Sequence, residues 1–139
     1  MDECVFCKII NREIPANIVY ENDMVLAFLD INPINRGHTL IVPKEHHRDV
    51  YDITEDCLKE VVVVAKKISS AMKRGLRAEG VNILHASGET AQQSVFHFHL
   101  HLVPRWRDDG LNTWPRSGYK EEDLGIVAEE IRSAIRIRE

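Results

Sequence analysis

Between Gln93 and Val103 the chain alternates histidine with apolar side chains: His97, His99 and His101 are interleaved with Phe98, Leu100 and Leu102. A period of two is that of a half-buried β-strand, so the imidazoles are expected on one face and the apolar groups on the other. Next-but-one residues of a strand lie about 6.8 Å apart at Cα, which separates His97 from His101 by about 13–14 Å. Three imidazoles so spaced cannot easily meet at one metal ion. The pattern suggests divided labour, with one ligand, one reactive group and one orienting group.

The other elements follow from local pattern. Residues 4–11 suit a short helical turn carrying Phe6, Ile9 and Ile10 inward, ended by Pro15 because proline disfavours helix in the residue before it. Ile18–Glu21 and Val25–Leu29 read as a hairpin joined by the turn-prone Asn22-Asp23. Asp30 to Gly37 is a loop, and His38–Pro43 a third strand stopped by proline. Thr54 is the expected N-cap of a long helix, with Glu55 and Asp56 in its first turn. Leu58, Val61, Val62, Ala65, Ile68, Met72 and Leu76 keep helical spacing, and the helix should end near Gly80. Val81–Leu84 is a fourth strand and the histidine segment a fifth. Too few helices separate these strands for a doubly wound fold, so the expectation is α+β: an antiparallel sheet of about five strands with a long helix, a short N-terminal helix and a C-terminal helix.

Residues 105–120, with Trp106, Trp114, Pro115 and Tyr119, read as a loop, and Glu121–Glu139 as a helix. Leu124, Val127, Ala128, Ile131 and Ile135 form its apolar stripe. That stripe fits a helix docked on its own domain or a contact between two copies. The 139 residues are expected to make one domain, residues 1–104 carrying the site and 105–139 its C-terminal loop and helix.

The formal charge of −4 and the lack of a long basic run disfavour nucleic acid as a partner. No apolar run approaches membrane-spanning length, and no signal pattern stands at the N-terminus, so a soluble cytoplasmic protein with no membrane partner is expected. Three cysteines cannot all pair within one chain. Cys4 and Cys7 have the spacing of two thiolate ligands in a tetrahedral zinc site, which needs two more ligands. Cys57 reads as a small packing residue.

His97-Phe98-His99-Leu100-His101-Leu102-Val103 resembles the signature of the histidine triad family. Phe6–Ile10, Glu13–Ala16, Ala27–Pro33 and Gly37–Lys44 resemble further family segments, in the family's order. The likeness spans roughly residues 4–105 and is nearest to the prokaryotic nucleoside-phosphoramidase-like branch. It implies a homodimer that acts at the α-phosphate of a purine nucleotide, with adenosine 5′-phosphoramidates as the expected substrates.

In that family the middle histidine, His99 here, attacks phosphorus and forms a covalent nucleotidyl-imidazole that water hydrolyses. Neutral imidazole keeps a nucleophilic lone pair near neutral pH, provided that its other nitrogen is protonated and held by an acceptor. The resemblance makes His101 and His38 its supports near the phosphate, and gives Ser94 the leaving group. Main-chain N–H groups around Gln93 to Val95 would oppose the developing phosphorane charge. Asp30 fits a ribose contact, since a carboxylate accepts from both vicinal hydroxyls. Phe6, Ile9, Phe28 and Ile31 resemble the apolar slot for the base. Zinc-bearing members add His46 and His97 to Cys4 and Cys7, which makes the zinc structural and no catalytic metal necessary; spacing alone does not separate His46 from His47.

The chain departs from the pattern at Ala86, where an asparagine often stands, and at Gln92, which replaces a glycine. His85 or Ser87 are candidates to compensate. Three other readings stay open: a dinucleoside polyphosphate hydrolase, a nucleotide- or partner-binding module without turnover, and a zinc hydrolase with triad ligands. The strand spacing counts against the last.

Overall fold

A computed structural model describes residues 3–118, 120 and 123–136. The chain forms two compact units, Met1–Asp109 and Gly110–Glu139. In the first unit the elements run α1 (Val5–Ile10), β1 (Ile18–Glu21), β2 (Val25–Leu29), β3 (Thr39–Pro43), α2 (Glu55–Gly75), β4 (Gly80–Leu84), a 3₁₀ turn (Glu89–Ala91) and β5 (Leu100–Arg105). The strands make one antiparallel sheet in the order β1-β2-β3-β5-β4, which agrees with the α+β expectation.

Both faces of the central strands are covered, and alternation along each strand sorts its side chains between two cores. Val25, Ala27 and Ile41 pack with Val61, Ala65, Ile68 and Met72 of α2. Leu26, Phe28, Leu40 and Val42 pack with Phe6 and Ile9 of α1. Each buried Val, Leu, Ile, Phe or Met among them contributes roughly 1.5–3 kcal/mol of transfer free energy, and the alanines less, which offsets the entropy of ordering the chain. The β1–β2 turn is made by Asn22, whose Oδ1 accepts from the N–H groups of Met24 at 2.8 Å and Val25 at 2.9 Å.

The double cover corrects the reading of the histidine segment. The strand begins only at Leu100, and His97, Phe98, His99 and Leu100 are buried in succession. No half-exposed face exists there, because Phe98 enters the α2 core while His97 and His99 lie edge-on to Phe6 of α1. The alternation decides which core a side chain joins.

Helix α2 starts as expected, with Thr54 Oγ1 accepting from the Cys57 N–H at 3.3 Å. It ends five residues before Gly80: the Leu76 N–H closes on the Met72 carbonyl, and Arg77 takes a left-handed φ of 57°. Val62 points outward, 53% exposed, and Val64 takes the inward place expected of it. In the second unit α3 spans Leu124–Arg136 among the described residues, with Asp123, expected inside the helix, standing before it and its Oδ1 accepting from the N–H groups of Gly125 and Ile126. Its apolar stripe is exposed, from 37% at Val127 to 77% at Ile135. Tyr119 and the outer parts of the expected 121–139 helix lie outside the described residues.

Gly37 delivers the chain into β3 with φ +84°, and a Cβ there would stand 2.7 Å from Leu76 Cδ1 and 3.2 Å from Pro104 Cγ. Gly37→Ala is expected to cost about 1–2 kcal/mol from the left-handed backbone alone, before any clash. Urea unfolding measures this; an unchanged midpoint would contradict it.

Candidate active site and thiol–imidazole cluster

A cleft of about 430 Å³ opens between α1, the end of β2 and the histidine segment. Its apolar wall includes Phe6, Ile9, Phe28 and Ile31, and its polar end Asp30, Ser94, His99 and His101. Every residue expected to contact the nucleotide is therefore there, Gln93 excepted. Ile14, Pro15 and Ala16 also line it, and the sequence reading gave them no role. The only available signal was their place in a family-like segment.

Gln93 is buried behind the cleft, and its amide is spent on the chain itself. Its Oε1 accepts from the Gly88 N–H at 2.8 Å, and its Nε2 donates to the Arg48 and Val95 carbonyls at 2.7 and 3.1 Å. Its own N–H donates to the Gly88 carbonyl. Gln93 shapes the turn that carries Ser94 and Val95 to the cleft. Gln92, just before it, adopts φ 73°, the left-handed conformation a glycine holds without strain.

Acceptors and donors of the main chain fix the protons of three imidazoles. His99 Nδ1 lies 2.8 Å from the His97 carbonyl. A carbonyl only accepts, so Nδ1 carries the hydrogen and Nε2 keeps a lone pair. His38 Nδ1 accepts from the Ile34 N–H at 3.0 Å, which leaves the hydrogen on Nε2. That Nε2–H donates to His101 Nδ1 at 2.9 Å, so the free N–H of His101 is on Nε2. The rings of His99 and His101 stand 4.9 Å apart, centroid to centroid. One offers a lone pair and the other a hydrogen.

Asp30 fills two positions at once. Its Oδ1 accepts from the Asn32 N–H at 2.8 Å, the ordinary duty of a turn aspartate, while Oδ2 lies 3.7 Å from His38 Nε2. Asp30, His38 and His101 bring their donor atoms within 4.8 Å of one another. The donor set does not suit a cation, since the His38 nitrogen facing the group carries the hydrogen that Ile34 imposes.

Cys4, Cys7, His46 and His97 form a different cluster. Cys4 Sγ is 3.3 Å and Cys7 Sγ 3.5 Å from His97 Nδ1; Cys7 Sγ is 3.4 Å from His46 Nδ1, and the two Nδ1 atoms are 3.1 Å apart. With Zn–S near 2.3 Å and Zn–N near 2.0–2.1 Å, about these separations arise around a tetrahedral ion. His97 Nε2 donates to the Pro43 carbonyl at 2.8 Å, so its lone pair faces the thiols, and the carbonyl holds the ring from outside. His46 joins the cluster and His47 does not. The His47 ring turns to Glu45, with Nε2 3.1 Å from Oε1 but out of line for a hydrogen bond.

Burial pushes the pKa of His99 and His38 down, and those of His97 and His101 to about 4. For His99 the hydrogen bond to the His97 carbonyl opposes this in part. Burial, with Cys4 beside it, raises the Cys7 thiol to about 11.

The HIT domain family model matches residues 11–108. An uncharacterized HIT-like protein of Borreliella burgdorferi is 50% identical over 113 residues, covering 80% of this chain and 81% of its own. An adenosine 5′-monophosphoramidase of Saccharomyces cerevisiae is 39% identical over 92% of this chain and 80% of its own. The crystal structure of a zinc-bound histidine triad family protein from Mycobacterium smegmatis superposes with a TM-score of 0.77 at 38% identity, over 96% of this chain and 94% of that one.

The buried imidazoles set the direction of the acid response. Between the ordinary histidine value near 6.5 and the depressed value near 4, the unfolded chain takes up a proton that folded His101 does not. Stability should thus be full above pH 6.5 and fall steadily towards pH 4. Chemical denaturation at stepped pH measures it, and a flat profile over that window would refute the assignment.

Proposed function

Because this chain belongs to the histidine triad family, we propose that it hydrolyses purine nucleotides at the α-phosphate, with adenosine 5′-phosphoramidates as substrates and His99 as nucleophile. The observation that carries the reading is the His99 proton. With Nδ1–H held by the His97 carbonyl, the Nε2 lone pair is available at the polar end of an apolar cleft. Burial keeps the ring neutral, as a nucleophile must be. The yeast relative's activity supports the same chemistry.

In this reading Phe6, Ile9, Phe28 and Ile31 hold the base, and Asp30 the ribose. His99 Nε2 attacks phosphorus as the bond to the leaving amine breaks, and Ser94 supplies the amine with a proton. The Nε2–H of His101, set by His38, and the N–H groups of Ser94 and Val95 face the phosphate charge. Water then cleaves the phosphorus–nitrogen bond, releasing AMP and the neutral imidazole and returning a proton to Ser94.

Cys4, Cys7, His46 and His97 would hold a structural zinc ion that ties α1 to the histidine segment. No catalytic step involves it. Residues 1–104 are read as the nucleotide domain and 105–139 as its C-terminal loop and helix. The reading extends to a homodimer, supported by the exposed Val62, Val63 and Ile83 and by β4, which ends the sheet. Reduced thiol ligands suit a cytoplasmic protein.

Quenched mixtures with a model adenosine 5′-phosphoramidate should show a protein–AMP adduct by intact mass, and AMP in solution. His99→Ala should lose both while still binding AMP. Persistent AMP release by that variant would mean that another group is the nucleophile; binding without turnover by the unaltered chain would favour a binding module. Native mass spectrometry should find two chains with two zinc ions, and Cys4→Ser should lose the metal. A metal-free single chain would refute both the zinc and the dimer.

A further inference from the structure

The β4–β5 ladder stops at the pair Leu84–His101, leaving the His99 peptide just past the last rung. A side chain takes over there. His85, the residue after β4, brings Nδ1 to 2.9 Å from the His99 carbonyl oxygen. That oxygen only accepts, so His85 carries its hydrogen on Nδ1 and a lone pair on Nε2. The lone pair meets the hydroxyl of Ser87, whose oxygen in turn accepts from the Val50 N–H at 2.9 Å. The His85 ring also stacks on Phe98, centroids 4.3 Å apart and planes 24° apart. Every proton in this chain has one direction: Val50 to Ser87, Ser87 to His85, His85 to His99.

We infer that His85, oriented by Ser87, is a positioning residue for the nucleophile, holding the His99 main chain where the sheet no longer does. The inference rests on the reading of His99 given above. His99 is then fixed twice, its ring by the His97 carbonyl and its peptide by His85. Neither His85 nor Ser87 lines the cleft, so neither should affect how the nucleotide is bound. Their effect falls on the approach of Nε2 to phosphorus, where displacement by about 1 Å costs on the order of a hundredfold in rate.

The test is a split between kcat and binding. His85→Leu should lower kcat for the model phosphoramidate by about ten- to a hundredfold, counted per AMP-binding site, with AMP affinity unchanged. His85→Asn, whose Nδ2 occupies the branch of the native Nδ1, should recover most of that loss. Ser87→Ala should fall between them. An active protein indifferent to His85→Leu would overturn the inference alone, as would equal losses in the leucine and asparagine variants. A parallel loss of AMP-binding affinity would also overturn it, since that marks a general structural role. An unaltered protein without turnover would overturn the functional reading, and this inference with it.

Discussion

The hydrogen bond from His99 Nδ1 to the His97 carbonyl is the contact on which the rest of the site depends. An imidazole can be a nucleophile or a donor at a given nitrogen, never both, and nothing in a histidine's own chemistry chooses. Here the main chain chooses. A carbonyl selects the tautomer of His99 and the Ile34 N–H selects that of His38, which in turn sets His101. The Pro43 carbonyl does the same for His97 on the thiol side. The assignment is therefore a property of the backbone trace, held by a sheet buried on both faces.

Burial supplies the second half of the arrangement. An imidazolium pays heavily for leaving water, so a ring packed against Phe6 and the strands stays neutral well below the usual range. The site thus gains unprotonated nitrogens without any neighbouring cation. The same burial would leave a polar ring costly if it lacked a partner, which is why each of these histidines meets a main-chain group or another imidazole.

Much of this was legible in the sequence, and the failures have physical causes. Local signals held where local chemistry decides: Thr54 capped α2, Asn22 turned the hairpin, and β2 and β3 fell within a residue of expectation. A period of two in the histidine segment marks two faces but does not say whether one of them is wet, and here neither is. Four consecutive valines blur the phase of a helix, so Val62 points outward where the spacing predicts it inward. The main-chain N–H of Gln93, expected to face the phosphate, instead donates to the Gly88 carbonyl, and three further main-chain groups use up its amide; a sequence does not show where a loop spends its hydrogen bonds. The choice between His46 and His47 depended on which ring the turn after β3 sends towards residues 4 and 7, and no local pattern encodes that.

Helix α1 has only six residues, too short to persist in water by its own hydrogen bonds. Its cap is Cys4 Sγ, and the partners that hold it lie 93 and 90 residues further along the chain, at His97. During synthesis, Phe6 and Ile9 emerge before the β2 and β3 side chains on which they rest, Leu26, Phe28, Leu40 and Val42. The junction of the cleft wall with His97, and the polar end of the cleft at His99 and His101, wait for the distant segment to return. Nucleotide pocket and thiol cluster are thus completed in the same late event, and a nascent chain has neither until it has both.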